Sequence, residues 1–205
     1  VSIYVEMKKG LALCTGTIIA DDLILTAAHC VEKGRTWIVY GDPDQSFLKE
    51  KYKYSVESLC KDERYYCYEG AWGLRHPEYS EYTTENDVGI IRLKTPMTEF
   101  DGHRVFDCGL IGAGSAEDCT LIGLGEFSDF EANDYRLRYK TDVKSIFCKH
   151  FYYNYDTLCL YGVHICPGDS GGPLICNNSI YGVSSAFIVK DPDDVLCSEA
   201  VENRY

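Results

Sequence analysis

The chain has 205 residues, a net charge of −12 and a pI near 4.8. Its 45% hydrophobic and 25% charged residues are ordinary for a globular protein and argue against wholesale disorder. The acidic balance argues against nucleic acid or an anionic membrane surface as a partner, because both attract a basic face. No apolar run approaches the ~18 residues of a transmembrane helix.

Short apolar or alternating runs, separated by Gly, Asp, Asn and Pro, predict a series of strands. In chain order these runs are 15–30, 37–42, 87–93, 119–125, 173–187 and 200–205. The segment 49–70 is dense in charge and tyrosine and is predicted to be a surface excursion, while 143–153 favours a helical turn or two. Many short strands with turns between them predict an all-β sandwich or barrel.

The eleven cysteines are scattered, without the paired C-x₂₋₄-C clusters of a tetrahedral zinc site. They indicate a disulfide framework in an oxidising compartment, and neither a metal nor another cofactor is predicted. Cys60 and Cys67 lie within the tyrosine-rich segment, where a local bridge would close a small loop at little entropic cost.

Three segments carry side chains that fit one chemistry. TAAHC supplies His29, NDVGIIRL supplies Asp87 and GDSGGP supplies Ser170. A weak hydroxyl nucleophile needs a base within hydrogen-bond reach, and that base needs an anion to fix its tautomer. Gly168 and Gly171 flank the serine, where the loop must present backbone N–H groups to a developing oxyanion.

With these motifs the sequence resembles the chymotrypsin-like (trypsin-fold) serine proteases over nearly its whole length. The resemblance implies one domain, 1–205, of two six-stranded antiparallel β-barrels, approximately 1–100 and 101–205, with the active site in the cleft between them.

The resemblance also implies a role for each motif residue. His29 would be the general base and acid, Asp87 would orient it and Ser170 would be the nucleophile. The N–H groups of Gly168 and Ser170 would form the oxyanion hole, and Ser185 would support the aspartate.

Most of the remaining cysteines acquire partners through the same resemblance. The implied pairs are Cys14–Cys30, Cys119–Cys176, Cys148–Cys159 and Cys166–Cys197. Cys108 is left over, and the resemblance implies a link to a propeptide or another chain; a buried free thiol is the alternative.

The sequence departs from the family at both ends. Family members mature by a cleavage whose new α-amino group pairs with the acid before the nucleophile, here Asp169. The chain starts VSIYVEM, which matches a strand downstream of that cleavage point, so Val1 is expected not to reach Asp169. It also stops before the family's C-terminal helix, and both elements are expected to be missing from this chain.

The predicted specificity pocket is atypical. Beside Ser185, Ala186 and Phe187 stand where the family usually has Trp and Gly, and Ala200 replaces another pocket Gly. His164 occupies the pocket floor, and the absence of an acid there disfavours an Arg or Lys side chain. The pocket is therefore predicted to be shallow or occluded by Phe187; loops that take another path are the alternative.

The functional prediction is a secreted, extracellular serine endopeptidase, monomeric, that acts on proteins or peptides and meets protease inhibitors. A catalytically silent binding or regulatory protein with the same fold, or a zymogen-like form, remains the alternative. Asn177 begins an N-x-S sequon between two predicted strands, so it is predicted to lie on an exposed turn and carry a glycan.

Overall fold

The computed structural model describes residues 1–8, 10–31, 34–41, 56–98, 119–125, 138–143, 145–147, 158–160 and 165–186. The regular secondary structure of these ranges is almost entirely β-strand, which confirms the predicted all-β class. The strands are β1 (Ser2–Met7), β2 (Gly10–Thr15), β3 (Thr17–Ala20), β4 (Leu23–Thr26), β5 (Arg35–Gly41), β6 (Tyr65–Arg75), β7 (Gly89–Leu93), β8 (Cys119–Gly123), β9 (Arg138–Val143), β10 (Ser145–Phe147), β11 (Leu158–Leu160), β12 (Pro173–Cys176) and β13 (Ser179–Val183). A helix α1 (Val56–Leu59) and a 3₁₀ turn (Ala28–Cys30) accompany them, and no helix within these ranges could cross a membrane.

The first sheet closes into a barrel. Its strands are hydrogen-bonded in the order β2-β1-β5-β6-β7-β4-β3, and every pairing is antiparallel. β2 and β3 stand at opposite ends of this order, yet only Gly16 separates them along the chain. The two segments therefore act as one bent strand that serves both edges, and the seven segments make a closed six-stranded barrel.

Alternating side chains of these strands fill the barrel interior. On β1, Ile3 and Val5 pack with Ile24, Ile38 and Ile91 in a single buried cluster. Branched aliphatic side chains suit this position because they fill a pleated, closed surface well. Burial of their apolar surface stabilises the fold by about 25 cal/mol for each Å² removed from water. This packing anchors the strands that carry the site.

The outer face of the barrel carries a second cluster, which corrects one prediction. The segment 49–70 is predicted to be a surface excursion, but Tyr65 and Tyr68 are only 5% and 9% exposed. Its residues 49–55 lie outside the described residues. Tyr65 packs with Tyr4, α1 residues and Val39, whereas Tyr68 joins the interior cluster. The prediction was wrong here because β6 begins at Tyr65 and pairs with β5. This pairing places the rings of Tyr65 and Tyr68 against apolar side chains.

The second half contains a four-stranded antiparallel sheet in the order β13-β12-β8-β9, with β10 and β11 as a separate pair. Cys119 and Cys176 face each other across β8 and β12 and pack against Leu174. The helical turn predicted within 143–153 is wrong for Ser145–Phe147, which pair with β11 instead. The rest of that segment after residue 147, and the strand predicted at 200–205, lie outside the described residues.

Candidate active site

Two strands of the barrel bring His29 and Asp87 to the same edge. β4 pairs antiparallel with β7, and Thr26 lies opposite Gly89. His29 follows β4 in the 3₁₀ turn, while Asp87 comes just before β7. In an antiparallel pair, residues beyond the end of one strand lie beside residues ahead of its partner's start. The pairing thus delivers both side chains to one place.

Asp87 accepts three hydrogen bonds. Its Oδ1 accepts from the backbone N–H of His29 at 2.9 Å, and its Oδ2 lies 2.7 Å from Nδ1 of the His29 ring. The Ser185 hydroxyl donates to the same Oδ2 at 2.5 Å. The Asp87 side chain is 2% exposed and that of His29 is 35% exposed, so the carboxylate is enclosed while the imidazole still reaches solvent.

These contacts decide the ionisation of Asp87. Burial acts to raise the pKa of its carboxyl group, but the hydrogen bonds from the His29 ring, Ser185 and the His29 amide together lower it below its ordinary 3.8. At neutral pH the group is therefore a carboxylate that can only accept hydrogen bonds. The neutral His29 ring consequently carries its hydrogen on Nδ1 and offers Nε2 as an acceptor.

The loop around Ser170 is held in two consecutive tight turns. The Asp169 N–H donates to the Cys166 carbonyl at 2.9 Å, and the Gly172 N–H donates to the Asp169 carbonyl at 3.0 Å. Gly168 has a φ of +94°, a conformation that a residue with a Cβ rarely adopts, which explains the glycine before Asp169. Among the described residues, neither the Gly168 N–H nor the Ser170 N–H takes part in a hydrogen bond.

The Asp169 carboxylate is buried beneath this loop, with a residue exposure of 7%. Its Oδ1 accepts from the Gly125 N–H and its Oδ2 from the Cys166 N–H, both at 2.8 Å. Gly123 leaves the room that the carboxylate needs, because a Cβ there would lie 2.1 Å from Oδ1. The amino group of Val1 donates to the Gly16 carbonyl at 3.0 Å. The part of Asp169 in an activation ion pair, and the expectation that Val1 does not reach it, both remain predictions.

The Ser170 backbone docks onto the first barrel beside the histidine. Its carbonyl accepts from the Thr15 N–H at 2.8 Å and lies 3.7 Å from Sγ of Cys30, the residue that follows His29. No motif in the sequence marks Thr15, because a threonine in an alternating strand is ordinary. Its side chain nevertheless contacts Gly168, 153 positions away.

The predicted pocket residues are only partly described. Ser185 contacts Asp87, as given above, and Ala186 is exposed at the end of the described segment. His164, Phe187 and Ala200 lie outside the described residues. The shape of the specificity pocket therefore stays a prediction.

Disulfide bonds join three of the cysteine pairs named in the sequence analysis: Cys14–Cys30, Cys60–Cys67 and Cys119–Cys176. Cys166 is also disulfide-bonded, and its predicted partner Cys197 lies outside the described residues. Cys159 is on β11, whereas Cys148 and Cys108 also fall outside the description.

One group of possible metal ligands adjoins the site. Ligand atoms of Cys14, His29 and Cys30 lie within 4.8 Å of one another. Both sulfurs are bonded to each other, so neither is a thiolate that could bind a metal.

Asn177 lies in the two-residue loop of the β12–β13 hairpin. It and Asn178 have φ values of +48° and +64°, as a type I′ turn requires, and both are exposed. The sequon is therefore on the surface, and its glycosylation remains a prediction.

Together these features define a class: an all-β protein in which a barrel-borne His–Asp pair lies beside a GDSGGP loop. The family model Trypsin matches residues 1–194, and the chain belongs to the trypsin family, whose members are serine endopeptidases. The match confirms the predicted family and, with the strand arrangement, the trypsin-like double β-barrel fold.

The curated relatives are distant. A trypsin of Squalus acanthias is 28% identical over 193 residues, covering 88% of this chain and 77% of the relative. Granzyme A of Bos taurus is 32% identical over 200 residues, covering 89% and 72%. Trypsin-1 of Salmo salar is 26% identical over 190 residues, covering 88% and 73%.

Proposed function

We propose that this chain is a serine endopeptidase that hydrolyses peptide bonds through an acyl-enzyme on Ser170. The observation that carries the proposal is the set of three hydrogen bonds to Asp87, two from His29 and one from Ser185. They hold the imidazole in the tautomer that a general base needs, with Nε2 as the acceptor. A protein that only binds ligands has no chemical need for this arrangement.

In the proposed reaction, Ser170 Oγ attacks the scissile carbonyl carbon as its proton passes to His29 Nε2. The tetrahedral intermediate places a negative charge on the former carbonyl oxygen, where the Gly168 and Ser170 N–H groups would donate to it. Protonated His29 then gives its proton to the leaving amine, and the C–N bond breaks. Water, activated by the same imidazole, cleaves the ester and regenerates Ser170.

The conformation of the nucleophile loop favours this reaction. Donors that await a developing oxyanion should have no other partner in the resting protein, and this holds for both N–H groups within the described residues. The two turns and the buried Asp169 fix the loop before substrate arrives, so little reorganisation is needed during the reaction.

We further propose that the protein is secreted and acts on extracellular proteins or peptides. Three described disulfides support an oxidising compartment, since such bonds are rare in reducing cytosol. The proposed specificity excludes large and basic side chains. It relies on Phe187 and His164, whose places in the pocket the family resemblance implies.

The test is hydrolysis of a mixed peptide library by the folded chain, with cleavage sites read by mass spectrometry. Ser170→Ala should lower turnover by about 10⁶-fold, because triad members act as a unit. Ser179→Ala, a serine at the distant end of β13, is the matched control and should keep wild-type turnover. Equal cleavage by wild type and Ser170→Ala would identify the activity as contamination and contradict the proposal.

A further inference from the structure

The Thr15 side chain joins the first barrel to the nucleophile loop. Thr15 ends β2 and is only 1% exposed. Its Oγ1 donates to the Gly168 carbonyl at 2.7 Å and accepts from the Leu124 N–H at 2.9 Å. The hydroxyl thus uses its donor and one acceptor site on two separate segments of the second half.

The Thr15 backbone contacts the same loop. Its N–H donates to the Ser170 carbonyl at 2.8 Å, while its carbonyl accepts from the Thr26 hydroxyl at 2.9 Å. A single buried residue therefore holds the carbonyl groups of both Gly168 and Ser170, the two residues whose N–H groups would bind the oxyanion. Thr26, at the end of β4, in turn fixes Thr15 through this hydrogen bond.

The hydrogen bond from the Thr15 hydroxyl restrains Gly168, a residue whose backbone is otherwise easily rotated. Gly168 has no side chain, and its φ of +94° lies in a region that glycine enters and leaves easily. Rotation about its backbone bonds would redirect its N–H away from the developing oxyanion. The Thr15 hydroxyl opposes that rotation because it pins the Gly168 carbonyl, and the Leu124 contact fixes the hydroxyl itself.

We propose that Thr15 is a positioning residue for the oxyanion hole, acting through the Gly168 carbonyl. The inference is based on the proposed peptidase function and extends it, because none of the motifs that predict the reaction includes this residue. A merely structural Thr15 would contribute to folding stability alone. A positioning Thr15 must also raise the rate of the chemical step in folded protein.

The test compares kcat and KM for one peptide substrate, normalised to titrated active sites. Thr15→Val replaces the hydroxyl with a methyl of similar size, and it should lower kcat about 10- to 100-fold with KM nearly unchanged. Thr15→Ser restores the hydroxyl and should recover most of kcat. Thr17→Val is the matched control, since the buried Thr17 hydroxyl has no partner among the described residues, and it should keep the wild-type kcat.

A transition-state analogue gives a second readout. A peptidyl boronate, which forms a tetrahedral adduct on serine, should bind Thr15→Val more weakly by about the factor lost in kcat. Wild-type kcat in Thr15→Val, or Thr15→Ser as slow as Thr15→Val, would overturn the inference and leave the peptidase intact. An inactive wild type would instead overturn the proposed function, and the inference with it.

Discussion

Asp87 holds His29 at two points, through its backbone N–H at 2.9 Å and through ring Nδ1 at 2.7 Å. Each carboxylate oxygen serves one of these contacts, so the ring cannot rotate without giving up a hydrogen bond to a buried charge. Such a bond is worth about 1.5–3 kcal/mol. The pair therefore fixes both the tautomer and the orientation of the proposed base.

Asp87→Asn tests whether the negative charge of Asp87 orients the His29 ring, because asparagine fills the same space without the charge. The amide can present an N–H group towards Nδ1, which favours the tautomer with its hydrogen on Nε2 and removes the acceptor that Ser170 needs. We expect kcat to fall about 10⁴-fold, as for the equivalent change in a well-studied serine protease. Steady-state kinetics at neutral pH measures this, and a variant within tenfold of wild type would contradict the assigned role.

Ser185→Ala should reveal the stability that ionised Asp87 contributes. The folded-state pKa of Asp87 lies below its ordinary 3.8, so this stability is fully present above pH ~4 and is lost as pH falls through the folded pKa. Removing the Ser185 hydroxyl raises that pKa and should cost about 1.5–3 kcal/mol at pH 7.

Urea unfolding of wild type and Ser185→Ala from pH 7 to pH 3 checks this prediction. The difference in unfolding free energy should shrink as the pH falls below the folded pKa of Asp87 in Ser185→Ala, which is higher than that in wild type, because the variant then has less charge stabilisation left to lose. A difference that stays constant across the range would mean that Ser185 stabilises the fold without acting on the charge of Asp87.

The disulfides should contribute unequally to stability. Cys119–Cys176 spans 57 positions and Cys60–Cys67 only 7. In the chain-entropy model the longer loop is worth about 2 kcal/mol more, since its closure restricts the unfolded chain more strongly. Replacing each pair with alanines and measuring urea unfolding gives the comparison, and a larger loss from Cys60→Ala/Cys67→Ala would contradict the ranking.

Asn177 should carry a glycan when the chain is secreted from a eukaryotic host, because its turn is exposed and leaves the side chain accessible. Ser179→Ala removes the sequon while leaving both turn asparagines, so it should abolish the added mass without changing the hairpin. Peptide mapping with and without glycosidase measures occupancy, and an unmodified Asn177 in secreted wild type would refute the prediction.

Some parts of the site can be predicted from the sequence, because the proposed reaction requires particular residue types and these stand in short motifs. His29 and Asp87 come from separate motifs, and the role of Ser185 is implied by resemblance; the structure brings all three into contact. Gly168 of the nucleophile loop is predictable in the same way, because a residue with a Cβ rarely adopts its backbone angle.

Other features depend on distant partners and leave little local signal. Thr15 contacts Gly168, which is 153 positions away in the sequence, and no pattern within either segment indicates this contact. Tyr65 lies in the segment 49–70, which its density of charge and tyrosine predicts to be a surface excursion, yet the α1 and β1 side chains bury it. Ser145–Phe147 forms a strand because β11 supplies a partner, which overrides a weak local preference for helix.

The central claim, that Ser170 is a working nucleophile, is tested most directly by a fluorophosphonate probe followed by mass spectrometry of the tryptic peptides. The reaction needs only the nucleophile, the base and the oxyanion hole, and it forms a Ser170 Oγ–P bond as fluoride leaves. We predict that the probe modifies Ser170 in the folded chain. The peptide that contains position 170 should remain unmodified in Ser170→Ala, and labelling of Ser170 should be strongly reduced in His29→Ala. A folded wild type that remains unmodified at Ser170 would contradict the account.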